Sequence, residues 1–173
     1  MQKVQKPKEG EYAPYAIMYI DLVPNDGLVL QHLQDNLEMM QTFINSFPEE
    51  KLVYRWTEGE WTIKEILIHV ADTERIFGYR ALRFARNDPT ELAGFDMDAY
   101  VPNSSANTRS LESIMKEYRS VRQATLALFK NLEESAFTNV GMANGYPVTV
   151  RSLAYQIAGH ELHHRDSIKE NYL

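Results

Sequence analysis

The chain has no cysteine. That one count excludes disulfides, thiolate metal ligands and a protein thiol nucleophile. No apolar run approaches the ~18 residues that a membrane-crossing helix needs. The opening stretch MQKVQKPKEGEY carries charges with no apolar segment behind it. No secretory signal is therefore expected, and a cytoplasmic location is. Basic runs are missing too. Lys and Arg number 18 against 24 Asp and Glu, a formal net charge of -6. A nucleic-acid partner is not expected, because phosphate binding is driven mainly by Lys and Arg. There is no internal repeat and no low-complexity tract. What is there is an ordinary globular composition, 44% hydrophobic and 24% charged, in 173 residues. That length suits one domain, residues 1–173, with a sizeable core.

Residues 1–10 are polar, with Pro7 and Gly10, and read as a loose arm. Residues 11–24 are aromatic and apolar without a clean period, and read as an arm or short helix lying on the main body. Asn25 or Asp26 is placed to cap the first long helix. Leu30, Leu33, Leu37, Met40, Ile44 and Phe47 then recur at steps of three and four, the stripe of a core-facing helix. Pro48 ends it. Thr62 and Glu65 have the spacing of a capping box, with Trp61 before it suited to a hydrophobic staple. The second helix is predicted to run to about Arg86, with Ile63, Ile66, Val70, Phe77 and Phe84 on its apolar side. Residues 87–107 form a long connection of the kind that serves as a lid or binding loop. Thr108 or Ser110 starts a third helix, striped by Leu111, Ile114, Tyr118, Val121, Thr125, Leu128 and Leu132. Asn144-Gly145 favours a tight type I′ turn between short β-compatible runs, and Thr149 caps the last helix. The expectation is all-α: an antiparallel four-helix bundle with a long connection between its second and third helices and a short β-hairpin before the last.

The final helix, VRSLAYQIAGHELHHRDSIK, carries three of the five histidines. With His160 at zero and about 100° per residue, its apolar face centres near 80°. His164 falls at about 40°, inside that face, and His163 at about -60°, away from it. His160 and His164 thus point inward side by side, the spacing by which a helix offers two imidazoles to one metal. A lone histidine on an apolar face is usually only a core residue; a pair one turn apart is a stronger signal. His69, on the apolar side of the second helix, is the other inward candidate. Three neutral imidazoles leave coordination positions open, which is the catalytic rather than the closed structural pattern. His163 reads as a rim residue and His32 as a solvated one. Asp72, one turn beyond His69, and Glu161, beside His160, are weak catalytic candidates. Each can orient an imidazole or act as a general base. The bland alternative for both is ion pairing, for Glu161 with Arg165.

Four segments together resemble the DinB/YfiT-like superfamily of DNA-damage-inducible and metal-dependent-hydrolase-like proteins. They are YAPYAIMYIDLVP, EWTIKEILIHVADTERIFGYRALRFARND, SLESIMKEYRSVRQATLALF and AYQIAGHELHHRDSIKENYL. The most specific parts are Trp61 followed by residues 69–72, His-Val-Ala-Asp, and residues 159–165, Gly-His-Glu-Leu-His-His-Arg. The family is unrelated to the DNA polymerase that shares the name. The resemblance implies a four-helix bundle, homodimers, and a three-histidine site for a divalent metal such as nickel or zinc. It maps the ligands onto His69, His160 and His164. Some relatives use low-molecular-weight thiols such as bacillithiol or mycothiol as co-substrates. Two functions follow as expectations. One is a metal-dependent hydrolase or thiol S-transferase, the latter a detoxification role suited to a stress response. The other is a non-catalytic metal-binding stress-response module.

Overall fold

The computed structural model describes residues 2–173. Four long helices make up the bundle: α2 (Val29–Asn45), α4 (Ile63–Ala85), α6 (Leu111–Lys130) and α7 (Val150–Tyr172). Short helices α1 (Ile17–Ile20), α3 (Glu49–Leu52) and α5 (Met97–Tyr100) lie between and before them. Strands β1 (Val140–Ala143) and β2 (Tyr146–Thr149) form the antiparallel hairpin that leads into α7. Its turn places Asn144 at φ 52° and Gly145 at φ 78°. Both are left-handed, as a type I′ turn requires.

Local signals set most helix starts. The Thr62 hydroxyl accepts from the Glu65 amide, while the Glu65 carboxylate accepts from the Thr62 amide at 2.7 Å. Ser110 and Thr149 cap α6 and α7 through the amides three residues on. The start of α2 differs from expectation. Its N-cap is Leu28, with no side-chain cap. Asp26 instead accepts from the Leu28 amide and meets the His32 ring at 2.9 Å, so it closes a turn ahead of the helix.

The two helices that flank α2, α6 and α7, also flank α4. Contacts from Trp61 to Tyr172 and from His69 to His160 show α4 and α7 running antiparallel. Those of Lys64 to Arg109 and of Glu74 to Arg122 show α4 and α6 running the same way. The reason is the connection between them: α4 is about 35 Å long at 1.5 Å per residue, and residues 86–110 travel back along that length. On the way Leu92 pairs with the hairpin, through hydrogen bonds to Met142 and Asn144 at 2.9 Å.

The core falls into two apolar clusters with a polar layer between them. One holds Leu30, Leu33, Phe84, Phe129 and Leu153; the other holds Met40, Ile44, Val70, Ile114 and Ile168. Between the two, the helices bury Asn36, Glu74, Arg122 and Glu161. The N-terminal residues are docked rather than loose. Val4 is buried, its amide donates to the Gly27 carbonyl, and its own carbonyl accepts from the Tyr155 hydroxyl. Glu11 accepts from the Arg151 guanidinium and the Thr149 hydroxyl. Polarity alone hid this, because Val4 and Pro7 supply the buried apolar surface and hydrogen bonds to distant residues hold the rest. At Gly159 an added Cβ would lie 1.9 Å from the Tyr19 carbonyl oxygen. The glycine therefore lets α1 lie directly on α7, one residue before His160.

Candidate metal centre

His160 and His164 project from successive turns of α7, and His69 faces them from α4. The three are brought together in space. The His160 Nε2 lies 3.0 Å from the His69 Nε2 and 3.1 Å from the His164 Nε2. One nitrogen from each ring falls within 4.8 Å of the others. His69 and His160 are buried and His164 is half-buried. Burial keeps all three neutral: it lowers the His69 pKa to about 4 and that of His164 to about 3, and holds His160 well below the usual imidazole range. Each ring in its charged form would also repel its neighbours, which adds to the effect on His160 and His164.

Two aromatic side chains flank the cluster. Trp61 lies against the His69 ring with centroids 4.8 Å apart. This is the residue that the capping pattern marks as a staple. Tyr19, from α1, packs edge-on against both His160 and His163 at 5.2 and 5.4 Å. His163 is half-buried beside the cluster and outside the convergent set. On the other side a cleft of about 250 Å³ opens onto His69 and His160, walled by Tyr15, Tyr19, Phe77 and Phe95. The connection between α4 and α6 contributes Phe95 and Met97 to this wall.

Neither carboxylate candidate joins the three histidines. Asp72 pairs with Arg75 at 3.1 Å on the helix surface. Glu161 is fully buried and turns away from Arg165, toward α6. Its Oε1 accepts from the Tyr118 hydroxyl at 2.6 Å, and its Oε2 lies 2.9 Å from Arg122. That second contact is off the direction of the N–H bonds, so it is Coulombic rather than a hydrogen bond. Arg122 donates through its fork to both oxygens of Glu74 at 2.8 and 2.9 Å, and to the Leu33 carbonyl. Burial pushes the Glu161 carboxyl up against the pull of Arg122. The sequence reading passed over Arg122 and Glu74. A signal was present: Arg122 sits one turn from Tyr118, and Glu74 one turn from Val70, each beside an apolar stripe.

The donor set suits a divalent cation. Two nitrogens each about 2.0–2.1 Å from one ion lie no more than about 4.2 Å apart, and the two measured separations are within that limit. Hydrogen bonding is a poor alternative. A neutral ring nitrogen carries either one proton or one lone pair, so the His160 Nε2 cannot donate to one neighbour while accepting from the other.

The chain is similar to known proteins in sequence and in fold. A protein of Oceanobacillus iheyensis named "Putative metal-dependent hydrolase OB0413" is 26% identical over 155 residues, covering 83% of this chain and 87% of its own. The fold is similar to that of YfiT from Bacillus subtilis, described as a probable metal-dependent hydrolase with an unusual four-helix bundle topology. That match has a TM-score of 0.70 over 96% of this chain and 91% of the other, and at 17% identity it is a likeness of fold. The family model of the DinB superfamily matches residues 32–168, the greater part of the sequence, and the chain belongs to that superfamily.

Proposed function

We propose that His69, His160 and His164 hold one divalent metal ion through their ring nitrogens, and that the protein is a metal-dependent enzyme acting on a small molecule in the adjoining cleft. The observation that carries this reading is the convergence of three neutral, desolvated imidazoles around the His160 Nε2. An ion held there supplies Lewis acidity, lowering the pKa of a water or thiol that reaches it. The chain's own residues supply the rest. Trp61 and Tyr19 shield the cluster from solvent and fix the His69 and His160 rings. The cleft leaves one side of the cluster accessible.

A non-catalytic module would need a closed coordination sphere. Among the described residues no Asp or Glu belongs to the cluster, and both Asp72 and Glu161 have other partners. This favours the open, catalytic pattern. Hydrolysis and thiol S-transfer both fit it. In the second the thiol comes from outside, since the chain has no cysteine. Nickel and zinc both accept imidazole ligands.

The test is metal content after purification without a histidine tag. About one equivalent of nickel or zinc is expected in the wild type, lost in His69→Ala, His160→Ala and His164→Ala. A wild type that takes up no stoichiometric metal under titration, and behaves as the variants do, would remove the reading. Metal-dependent turnover of a thiol and a model electrophile, against ester or amide hydrolysis, then separates the two reactions.

A further inference from the structure

We infer that the cleft takes a small anionic molecule, an oxyanion such as a carboxylate carried on an apolar body, and that Arg80 receives its charge. The inference deepens the proposed function and rests on it for the reacting end of the molecule only.

Among the described residues two arginines are buried, Arg122 and Arg80. Arg122 has two carboxylates; Arg80 has none within 4 Å among the described residues. Its Nη2 donates to the Ala93 carbonyl at 2.9 Å, and its guanidinium lies over the Phe77 and Phe95 rings at 5.6 and 5.9 Å. A guanidinium has five N–H donors, so most of its hydrogen-bonding capacity has no protein partner. A buried cation is costly without an anion beside it. The Thr73 hydroxyl is also buried without a partner, and it lines the same cleft. Among the described residues no Asp or Glu lines it. In a chain of net charge -6, the one fixed charge in this cleft is therefore positive, and it selects for anions.

The spacing gives the molecule a direction. His69, Thr73, Phe77 and Arg80 follow one another at steps of four, four and three along α4. His69 and Arg80 thus fall within about 20° on the helix, some 16 Å apart along its axis. Helical side chains lean toward the N-terminus, so Arg80 reaches back toward His69 over Phe77. The rings of Tyr15, Tyr19, Phe77 and Phe95 between the two ends provide an apolar wall. The cleft volume of about 250 Å³ lies below the range of about 300–1,000 Å³ for drug-sized ligands, so the molecule is small. Its anionic group sits at Arg80 and its reacting group at the histidines.

The experiment titrates the 15N-labelled full chain with phenylacetate and with its neutral counterpart phenylacetamide. It is run metal-free and zinc-loaded, on wild type, Arg80→Met and Arg80→Lys. Metal-free wild type is expected to bind phenylacetate about tenfold or more tightly than the amide, with a shift of the Arg80 Nε–H resonance. Arg80→Met should abolish the preference and Arg80→Lys keep part of it. Wild type with no preference for the anion overturns the inference. So does a preference that survives Arg80→Met, since the anion is then held elsewhere. If either variant fails to fold, the wild-type ratio and the Arg80 resonance still decide the outcome. Failure to take up zinc would count against the metal centre alone, because the metal-free titration judges Arg80 independently.

Discussion

At the scale of single residues, the same chemistry has opposite consequences according to what lies beside it. Glu161 adjoins His160 in sequence, yet 100° of helical rotation turns it to the far side of α7, into the layer with Arg122 and Glu74. There one guanidinium serves two carboxylates and the Leu33 carbonyl in a site closed to water. Breaking a buried pair leaves a charge uncompensated and costs about 3–5 kcal/mol, whereas replacing all partners with apolar groups is often neutral. Arg122→Met is therefore expected to lose about 3–5 kcal/mol in denaturant unfolding. Adding Glu74→Leu and Glu161→Leu should recover much of that loss. A triple variant no more stable than the single one would show that the layer's value lies in its packing rather than its charges. Helical periodicity places Arg122 beside the stripe of α6 but cannot reveal that two carboxylates await it on α4 and α7.

At the scale of elements, α1 depends on a single missing side chain. Gly159 lets the Tyr19 backbone approach α7, and Tyr19 in turn covers His160. An alanine would favour the helix intrinsically by about 1 kcal/mol, but its Cβ would meet backbone that cannot rotate away. Gly159→Ala is expected to destabilise by about 1–3 kcal/mol, as overpacking does. It should also speed amide exchange in residues 16–22 relative to the bundle helices. Unchanged exchange there would mean that α1 accommodates the methyl by a small shift. The capping box, the hairpin turn and the helix stripes were legible because they are local. The docking of residues 2–11 was not, since Val4 and Glu11 find their partners at Tyr155 and Arg151.

For the whole molecule, folding and protonation are linked through the histidines. The folded-state pKa values of about 4 for His69 and about 3 for His164 lie below the ordinary value of 6.5. Between about pH 4 and 6.5 the unfolded chain therefore binds more protons than the folded one, and stability falls as pH falls. From pH 7 to 5 each of these two residues should cost the metal-free protein on the order of 2 kcal/mol. Unfolding of the metal-free form followed by circular dichroism across that range checks the slope, which His69→Gln should reduce. Saturating metal should raise the melting temperature, since an ion that binds only the folded state at a hundred times its Kd adds about 2.7 kcal/mol. Chelation should reverse the gain. A melting temperature insensitive to both pH and metal would contradict the burial of these rings.

The sequence by itself determined the four helices, the caps of α4, α6 and α7, the hairpin turn and the inward direction of His160 and His164. Each depends on residues within a few positions of one another, where 3.6-residue periodicity and amide capping act. Tertiary structure alone decided that α6 runs with α4, that the N-terminal segment is docked, and that Glu161 serves Arg122 rather than Arg165. It alone left Arg80 buried without a carboxylate. Those outcomes depend on which distant side chain fills the low-dielectric space beside a charge, and no local pattern encodes that.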